Sequence, residues 1–375
     1  MMNKIAILTT HRANNFGAIL QAFALVTKCK ELGSDAEILD WRTPLFEWQY
    51  YNPWRQLAKN PLPGIKFAWR YFVHERRSRR LFAEFRSRLP MSPKITSRDA
   101  LRDIEKRYCS FIVGSDQVWN PEQTACNPRQ FDRTYLLDFV KHTRKNAYAT
   151  SIGKESINPP ELIPEYRRAL ETFDIITMRE IAGAQFLSNI LGRDIEVVLD
   201  PVLLHDAEFW RKYESPLVTP NQNYILIYNV QHYRRESQWM IDEAYRYAYE
   251  RHYRVIDLFV PSAMSSWTVN SVEAGPAEFV HLIDNAVAVF TNSFHAAAFC
   301  VIFAKKLFLH RSDAPTTTNS RFDTLSLTMK LQTKEISVNG AGEKLIFCAC
   351  NQKQSKYISR AIDKSILLLS KMILQ

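Results

Sequence analysis

Residues 289–310 read VFTNSFHAAAFCVIFAKKLFLH, two apolar segments separated by a polar turn and a run of alanines. The first segment has the length and composition of a buried strand, and Asn292 or Ser293 can cap the helix that the alanines favour. The second segment predicts another strand. A strand–helix–strand unit belongs to a parallel sheet, whose carboxyl edge is where α/β proteins bind ligands. We therefore expect His295 at that edge, beside helix amides that attract anions, with a histidine held only by hydrogen bonds as an equal alternative.

The same unit recurs on both sides of this stretch. A strand at 5–10, a helix and a strand at 36–41 begin the chain, and the apolar segment at 111–113 resumes the sheet. Further strands are expected before the pattern restarts, the last of them at 195–204. The sequence therefore predicts an α/β fold of two Rossmann-like domains facing a cleft. The predicted units are an N-terminal domain at 1–198, a C-terminal domain at 199–350, and a terminal helix within 351–375 that packs back on the N-terminal domain.

Length and charge restrict the function classes. The chain has 375 residues, which exceeds one ordinary core and favours two domains. Its formal net charge is +10 and its isoelectric point is about 9.2, so an anionic partner is expected. Phosphorylated substrates, acidic polysaccharides and anionic membrane surfaces fit this charge, whereas nucleic acid is not expected, because no nucleic-acid-binding module is recognisable. No signal peptide or membrane-spanning segment is recognisable either, and the cysteines lack zinc-site spacing, which favours a reduced, cytoplasmic protein.

Residues 42–90 interrupt the alternation of strands and helices with an aromatic and then a strongly basic segment. The aromatic part includes Trp48, Tyr50 and Trp54, and arginines follow as far as Arg88. Such an insertion can lie on the anionic inner face of a membrane or hold an anionic glycan. The alternative, which we favour, is a solvated helix face whose aromatic side chains pack on the domain.

Five segments occur in one order along the chain: IAILTTHRANNFGAILQAFAL, FIVGSDQVWNP, TMREIAGAQFL, LDPVLL and EFVHLIDNAVAVFTNSFHAAAFCVIFAKKLF. Each alone is a weak signal, but together they resemble the polysaccharide pyruvyl transferase family over roughly residues 5–335. The resemblance implies a fold like that of the GT-B glycosyltransferases. It also implies transfer of a pyruvyl group from phosphoenolpyruvate, the donor substrate, to a sugar of a lipid-linked bacterial polysaccharide precursor, forming a cyclic ketal and releasing phosphate. No further cofactor is implied.

The resemblance also assigns residues to the donor side of the cleft. His295 matches the family histidine and is expected to act as a general acid or base, because the pKa of a histidine lies near working pH. Arg179 matches a donor-binding arginine, and Arg321 matches a downstream arginine less closely. Their planar guanidinium groups suit the carboxylate and phosphate of the donor. The chain departs from the family at Ser293, where many members carry an arginine, so one anion ligand is missing or supplied elsewhere. Asn292 and Ser293, with the helix amides, complete the expected donor site.

The acceptor sugar is expected against the N-terminal domain. Asn14, Asn15 and Gly17 form a polar loop before a helix, and the glycine permits close approach. Asp116 is expected to hold sugar hydroxyls or to act as a base, with a turn-forming aspartate as the equal alternative. A nucleotide-sugar glycosyltransferase and a non-catalytic glycan-binding protein are the alternative functions. A metal site of the glycosyltransferase type has no support, because the chain has no Asp-x-Asp motif.

Overall fold

The computed structural model describes residues 4–42, 47, 76–124, 132–216, 222–230, 237–258, 271–311, 319–338, 343–349 and 355–374. Their strands, in chain order, are β1 Lys4–Leu8, β2 Asp35–Ile38, β3 Ser110–Val113, β4 Arg144–Thr150, β5 Ile175–Met178, β6 Glu196–Val197, β7 Tyr224–Tyr228, β8 Arg254–Leu258, β9 Ser271–Val272, β10 Ala288–Thr291, β11 Lys306–His310, β12 Thr333–Val338 and β13 Glu343–Ala349.

The α-helices of the same residues are α1 Phe16–Glu31, α2 Arg76–Arg86, α3 Arg98–Ile104, α4 Pro121–Thr124, α5 Ile163–Leu170, α6 Ile181–Leu191, α7 Ala207–Arg211, α8 Gln238–Glu250, α9 Pro276–Asn285, α10 Phe294–Ile302, α11 Ser320–Met329 and α12 Ser355–Leu374. Short 3₁₀ turns lie at Glu105–Arg107, Arg133–Leu136, Pro160–Leu162 and Pro201–Leu204. No helix in the described parts of the chain is long and apolar enough to cross a bilayer.

The first lobe is built on a parallel sheet with the strand order β2-β1-β3-β4-β5-β6. Its inner strands are apolar and buried, as Ile5, Ile7 and Ile112 illustrate, because helices cover both faces of a parallel sheet. The strand order reverses between β1 and β3. The loops that leave these two strands therefore separate at a switch point, the usual place for a ligand.

The second lobe repeats this plan with the strand order β12-β13-β11-β10-β7-β8-β9. The strands β7 to β11 are parallel, and β12 and β13 add an antiparallel edge. The order reverses between β7 and β10, so the loop from β10 into α10 lies at the switch point of this sheet. Ser293 begins α10 by accepting a hydrogen bond from the Ala296 amide.

Aromatic packing joins the two lobes around α1. The ring of Phe16 stacks on Phe279 of α9, with 4.7 Å between centroids, and contacts Phe82 of α2 at 5.0 Å. Helix α2 is itself bound to the second lobe, since the Ser78 hydroxyl donates to the Ala274 carbonyl at 2.7 Å. The cleft between the sheets is therefore closed by a continuous apolar core on this side.

The last helix, α12, belongs to the second lobe in sequence but packs on the first. Its residues Leu369 and Met372 are fully buried in the core that also holds the strand β1. The Ser110 hydroxyl of β3 donates to the Met372 carbonyl at 3.3 Å, and the Ser365 hydroxyl accepts from the Leu199 amide at 3.0 Å. The chain thus crosses between the lobes a second time to complete the first one.

The prediction of a strand over residues 195–204 is wrong for most of that range. Pairing with β5 ends at Val197, and a 3₁₀ turn forms from Pro201. Proline has no amide hydrogen for a strand ladder, and the Asp200 carboxylate accepts from the Val202 amide at 3.1 Å, which fixes the turn. This turn carries the chain from the first sheet towards the second.

Most of the predicted aromatic-basic insertion, including Trp48, Tyr50 and Trp54, lies outside the described residues. Its described part contains α2, which buries Ser78, Phe82, Phe85 and Arg86 and exposes Arg76, Arg77 and Arg80. The helix therefore packs one face between the lobes and presents arginines on the other.

Candidate active site

Four ionisable side chains meet where the carboxyl edges of the two sheets face each other. Asp116 follows β3, Arg179 follows β5, and Asp200 begins the turn between the lobes, whereas His295 comes from the first turn of α10 in the second lobe. Arg179, Asp200 and His295 are buried, and Asp116 is partly exposed. The cluster therefore combines both lobes at the mouth of the cleft.

Asp200 lies at the centre of this cluster. Its Oδ2 accepts a hydrogen bond from Arg179 Nη1 at 2.7 Å and from the Ser115 hydroxyl at 2.9 Å, and His295 Nε2 lies 3.5 Å away. Burial by itself would raise the pKa of Asp200. The interactions with His295 and Arg179 outweigh burial and hold the pKa below its ordinary value. Asp200 is therefore a carboxylate at neutral pH.

The guanidinium group of Arg179 is only partly paired. Its Nη2 lies 3.6 Å from Asp116, beyond a good hydrogen bond, and both Nη2 and Nε are buried without a hydrogen-bond partner among the described residues. The centre of the guanidinium lies 4.7 Å from the Phe294 ring, a cation–π contact. Leaving buried donors unpaired costs about 1–3 kcal/mol each, so these two nitrogens are suited to receive an acceptor atom.

His295 is held between the lobes by close packing. A Cβ atom added at Gly17 would lie 1.9 Å from its Nδ1, so only glycine at this position lets the ring lie against the start of α1. Its Nε2 points towards Asp200, but at 3.5 Å it makes no hydrogen bond within the described structure. The ring therefore presents a polar nitrogen to Asp200 that a small shift would engage.

Asp116 has a left-handed backbone with φ of 82°, which is uncommon for a residue other than glycine. Its Oδ2 accepts from the Thr10 hydroxyl at 2.9 Å. Burial would raise the pKa of Asp116, but Arg179, His295 and Thr10 together lower it. Asp116 is thus an ionised carboxylate whose side chain reaches the open side of the cleft.

Arg321 and Phe294 form the wall of the cleft beside Arg179. Arg321 lies in α11, and its guanidinium centre is 5.8 Å from the Phe294 ring. A narrow cavity is lined here by residues of both lobes, including Arg179, Leu199, Asp200, Phe294 and Arg321. Two guanidinium groups therefore contact one aromatic ring at the edge of this cavity.

A model of the polysaccharide pyruvyl transferase family matches residues 15–309, which hold all four ionisable residues of the cluster. The chain belongs to this family. As a member of the polysaccharide pyruvyl transferases it is a transferase that acts in the pyruvylation of polysaccharides. No curated protein sequence matches it.

Solved structures resemble this family member in fold. A UDP-N-acetylglucosamine 2-epimerase from Listeria monocytogenes has a TM-score of 0.50 and 10% identity, covering 99% of this chain and 91% of that one. A second 2-epimerase, from Rickettsia bellii, has a TM-score of 0.48 and 10% identity over 97% and 95%. The glycosyltransferase SnogD from Streptomyces nogalater has a TM-score of 0.44 and 10% identity over 99% and 95%. The first of these matches supports the fold of this pyruvyl transferase, two Rossmann-like lobes facing a cleft as in GT-B enzymes.

The remaining residues expected on the donor side have structural partners in the second lobe. The Asn292 amide nitrogen donates to Asn229 at 2.8 Å, and its oxygen accepts from the Val230 amide at 2.7 Å, which ties the β10 loop to the β7 loop. Ser293 caps α10, and a serine there provides no positive charge. The arginine that the resemblance leads us to expect at this position therefore has no cationic substitute in Ser293 itself.

The residues expected to bind the acceptor are largely engaged within the first lobe. Asn14 is buried and accepts from Arg86 Nη2 at 2.9 Å. Asn15 caps α1 by accepting from the Ala18 amide at 3.1 Å. Gly17 contacts His295 as described. These three residues shape the loop that faces His295, and Asn15 is the one whose side chain is partly exposed.

Sequence reasoning did not assign Asp200, Ser115 or Glu180 to the site. Asp200 fell within the strand expected over 195–204, although a carboxylate before a proline is a recognisable turn signal. Glu180 is fully buried and accepts from the Ile152 amide at 3.1 Å, and burial raises its pKa. It supports the loop after β4 behind Arg179. No group of three or more His, Cys, Asp or Glu side chains in the described segments has the arrangement of a metal site.

Proposed function

We propose that this enzyme transfers a pyruvyl group from phosphoenolpyruvate to two hydroxyls of one sugar, forming a cyclic ketal and releasing phosphate. The observation that carries the proposal is the pair of unpartnered, buried nitrogens of Arg179, Nε and Nη2, on a side chain that shares the carboxylate of Asp200 with His295. A guanidinium edge with two free donors fits a carboxylate or a phosphate, and the donor has both.

The chemistry requires one proton carrier close to the donor. The methylene carbon of phosphoenolpyruvate takes a proton, a sugar hydroxyl attacks the central carbon, phosphate leaves, and a second hydroxyl closes the ketal. The two hydroxyl protons end on the new methyl group and on the released phosphate. His295 is suited to move them, because histidine exchanges protons near neutral pH. Asp116 is suited to accept hydrogen bonds from the sugar hydroxyls, since its carboxylate is ionised and partly exposed.

Arg321 is the second candidate for the donor anion. It lies against the same Phe294 ring as Arg179, which places the two cations on the same side of the cleft. Two carboxylates, Asp116 and Asp200, already offset the charge of Arg179. Arg321 adds a second positive charge, which brings these four groups to neutrality.

A nucleotide-sugar glycosyltransferase is the alternative, favoured by the fold shared with enzymes that use UDP-sugars. The two functions are separated by a thermal-shift assay with phosphoenolpyruvate and with UDP and UDP-sugars. Stabilisation by phosphoenolpyruvate alone supports pyruvyl transfer. Stabilisation by the nucleotides alone supports the alternative.

The reaction itself is tested by incubating the enzyme with phosphoenolpyruvate and candidate lipid-linked glycans. We expect phosphate release that depends on the glycan, together with a product whose mass corresponds to a ketal-linked pyruvate. Glycan-independent phosphate release, or release without a modified glycan, would contradict the proposal.

We further propose that the acceptor is lipid-linked and that the enzyme works at the cytoplasmic face of an anionic membrane. The exposed arginines of α2, Arg76, Arg77 and Arg80, support this, because each basic residue near an anionic surface contributes about 1 kcal/mol. The test is flotation with anionic and neutral vesicles at low and high salt. We expect flotation with anionic vesicles at low salt, weakened when the three arginines are replaced by glutamine. A protein that never floats would contradict the membrane proposal but not pyruvyl transfer.

A further inference from the structure

We propose that Asp200 is a positioning residue that couples anion binding at Arg179 to the hydrogen bonding of His295. The inference rests on the proposed function only for the identity of the anion, the phosphoenolpyruvate donor. The geometric basis is one oxygen atom. Asp200 Oδ2 faces three donors, Arg179 Nη1 at 2.7 Å, the Ser115 hydroxyl at 2.9 Å and His295 Nε2 at 3.5 Å.

These three donors compete for limited acceptor capacity. A carboxylate oxygen has two lone-pair positions, and two short bonds from Arg179 and Ser115 occupy them. His295 Nε2 is consequently left buried without a hydrogen bond in this part of the structure. An unpaired buried nitrogen is unfavourable, so His295 will take the position at Asp200 Oδ2 when another donor leaves it.

An anion at Arg179 provides that release. The guanidinium has two unpaired nitrogens, Nε and Nη2, and we infer that an anion bound to them pulls the group from Asp200 and lengthens the Nη1 bond. The carboxylate then accepts from His295 Nε2. Because a carboxylate that accepts from one ring nitrogen fixes the tautomer of a histidine, the proton is held on Nε2 and the lone pair on Nδ1.

The main chain of Asp200 is rigid, so the exchange falls to the side chains around it. The Leu199 amide donates to Ser365 of α12, the Leu199 carbonyl accepts from Tyr148, and the Val202 amide donates to Asp200 itself. These contacts come from three different elements. Asp200 is therefore a fixed acceptor, and Arg179 and His295 are the groups that move relative to it.

Other charged groups also face His295 and must be separated from the effect of Asp200. Asp116 interacts electrostatically with Arg179 and with His295, the two ionisable partners of Asp200. Arg321 lies near the ring of Phe294. A bound anion itself adds a negative charge close to the ring. The test therefore compares variants that differ at Asp200 while the remaining groups stay in place.

The experiment is nitrogen NMR of the full chain labelled only in histidine, with inorganic phosphate as the probe. The His295 signals are assigned by their loss in His295→Gln. In the wild-type protein, saturating phosphate is expected to move the Nε2 signal to that of a protonated, hydrogen-bonded nitrogen. In Asp200→Asn, phosphate should still bind, but this change should be absent. An identical change in both proteins, or none in the wild type at saturation, would overturn the proposal.

A second variant keeps the test decisive if Asp200→Asn does not fold. Ser115→Ala frees one position on Asp200 Oδ2 without removing a buried charge, so its His295 Nε2 signal should already resemble that of the phosphate-bound wild type. A signal like that of the phosphate-free wild type would contradict the coupling. These measurements need no turnover, so they can succeed even if the donor is not phosphoenolpyruvate.

Turnover gives a separate readout. If the proposed reaction is observed, kcat of folded Asp200→Asn should fall roughly 100-fold, with a changed pH profile, because the proton carrier is no longer held in one tautomer. Asp200→Glu should recover part of this loss, since it restores the charge. A kcat within threefold of wild type in Asp200→Asn would remove the positioning role.

Discussion

At the residue scale, the charge of Arg179 is balanced by two carboxylates, and this balance decides how the position can be tested. Removing the side chain would leave Asp200 and Asp116 without their buried cation, which commonly costs several kcal/mol of stability. Lysine keeps the charge but lacks the planar pair of donors. The substitution Arg179→Lys therefore separates anion recognition from folding.

Arg179→Lys is expected to raise the apparent KM for the donor by about 10- to 100-fold, the loss of roughly 1.5–3 kcal/mol for a charge-assisted hydrogen bond. The KM for the acceptor should change much less. Steady-state kinetics with each substrate varied in turn measures both. Arg211→Lys, which alters an exposed pair with Asp284, serves as the matched control and should leave both constants unchanged. An unchanged donor KM in Arg179→Lys would argue against direct contact.

His295 is the residue whose loss should affect turnover most. His295→Gln retains a polar side chain of similar size, so the fold and melting temperature should stay close to those of the wild type. We expect kcat to fall by about 10²- to 10⁴-fold, the usual contribution of a positioned proton carrier. The exposed histidine His252 provides the control His252→Gln, which should keep full activity. More than a tenth of wild-type turnover in His295→Gln would exclude the proton-transfer role.

At the element scale, the first turn of α1 approaches His295 so closely that one methyl group is excluded. Gly17→Ala should normally stabilise a helix by about 1 kcal/mol through propensity. Here the new Cβ would overlap His295 Nδ1, so we expect the opposite sign, a lower melting temperature together with reduced kcat. Thermal unfolding and turnover of the same preparation check both effects. If Gly17→Ala were stabilised and fully active, α1 and His295 would not be in the close contact described here.

The elements themselves illustrate how much the sequence could predict. A helix capped by Asn292 or Ser293 and a strand after it were predicted from local patterns and are confirmed, with Ser293 as the cap, because apolar runs and caps act within a few residues. The prediction of a strand over 195–204 was wrong, because the turn at Asp200-Pro201 ends the strand despite the β-rich composition of the segment. Local patterns also gave no indication that α2 would bind the second lobe, since that depends on partners far along the chain.

In the site as well, some residues could be predicted from local sequence and others could not. His295, Arg179 and Asp116 were assigned from strand ends and family resemblance, and the structure places them within one cluster. Asp200 was not assigned, because its role depends on contacts with Ser115, Arg179 and His295, which come from both lobes. The periodicity of apolar residues in the sequence does not predict which distant side chains meet in the folded protein.

At the scale of the whole molecule, the buried His205 links the turn between the lobes to α1. Its Nε2 hydrogen donates to the Ala24 carbonyl at 3.0 Å, and its ring stacks on Phe209 at 3.8 Å. Burial lowers the pKa of His205 to about 4, whereas an unfolded histidine has a pKa of about 6.5. Below pH 6.5 the unfolded chain therefore binds a proton that the folded chain does not.

This difference predicts that acid weakens the junction of the lobes. As the pH falls from 6.5 towards 4, His205 should lower the free energy of unfolding by up to about 1.4 kcal/mol per pH unit. His205→Gln removes the titrating group, so its free energy of unfolding should fall less steeply over this range. Urea unfolding at several pH values measures the two slopes, with His252→Gln as an exposed control. Parallel slopes for the wild type and His205→Gln would contradict the assignment.

The return of α12 to the first lobe has a consequence for the order in which the protein can be made. Leu369 and Met372 complete a core whose other members, such as Ile5, leave the ribosome hundreds of residues earlier. The first lobe must therefore wait, incompletely packed, until the rest of the chain has been synthesised. We expect a nascent or prematurely terminated chain to expose this apolar surface and to bind chaperones more than two independently folding domains would.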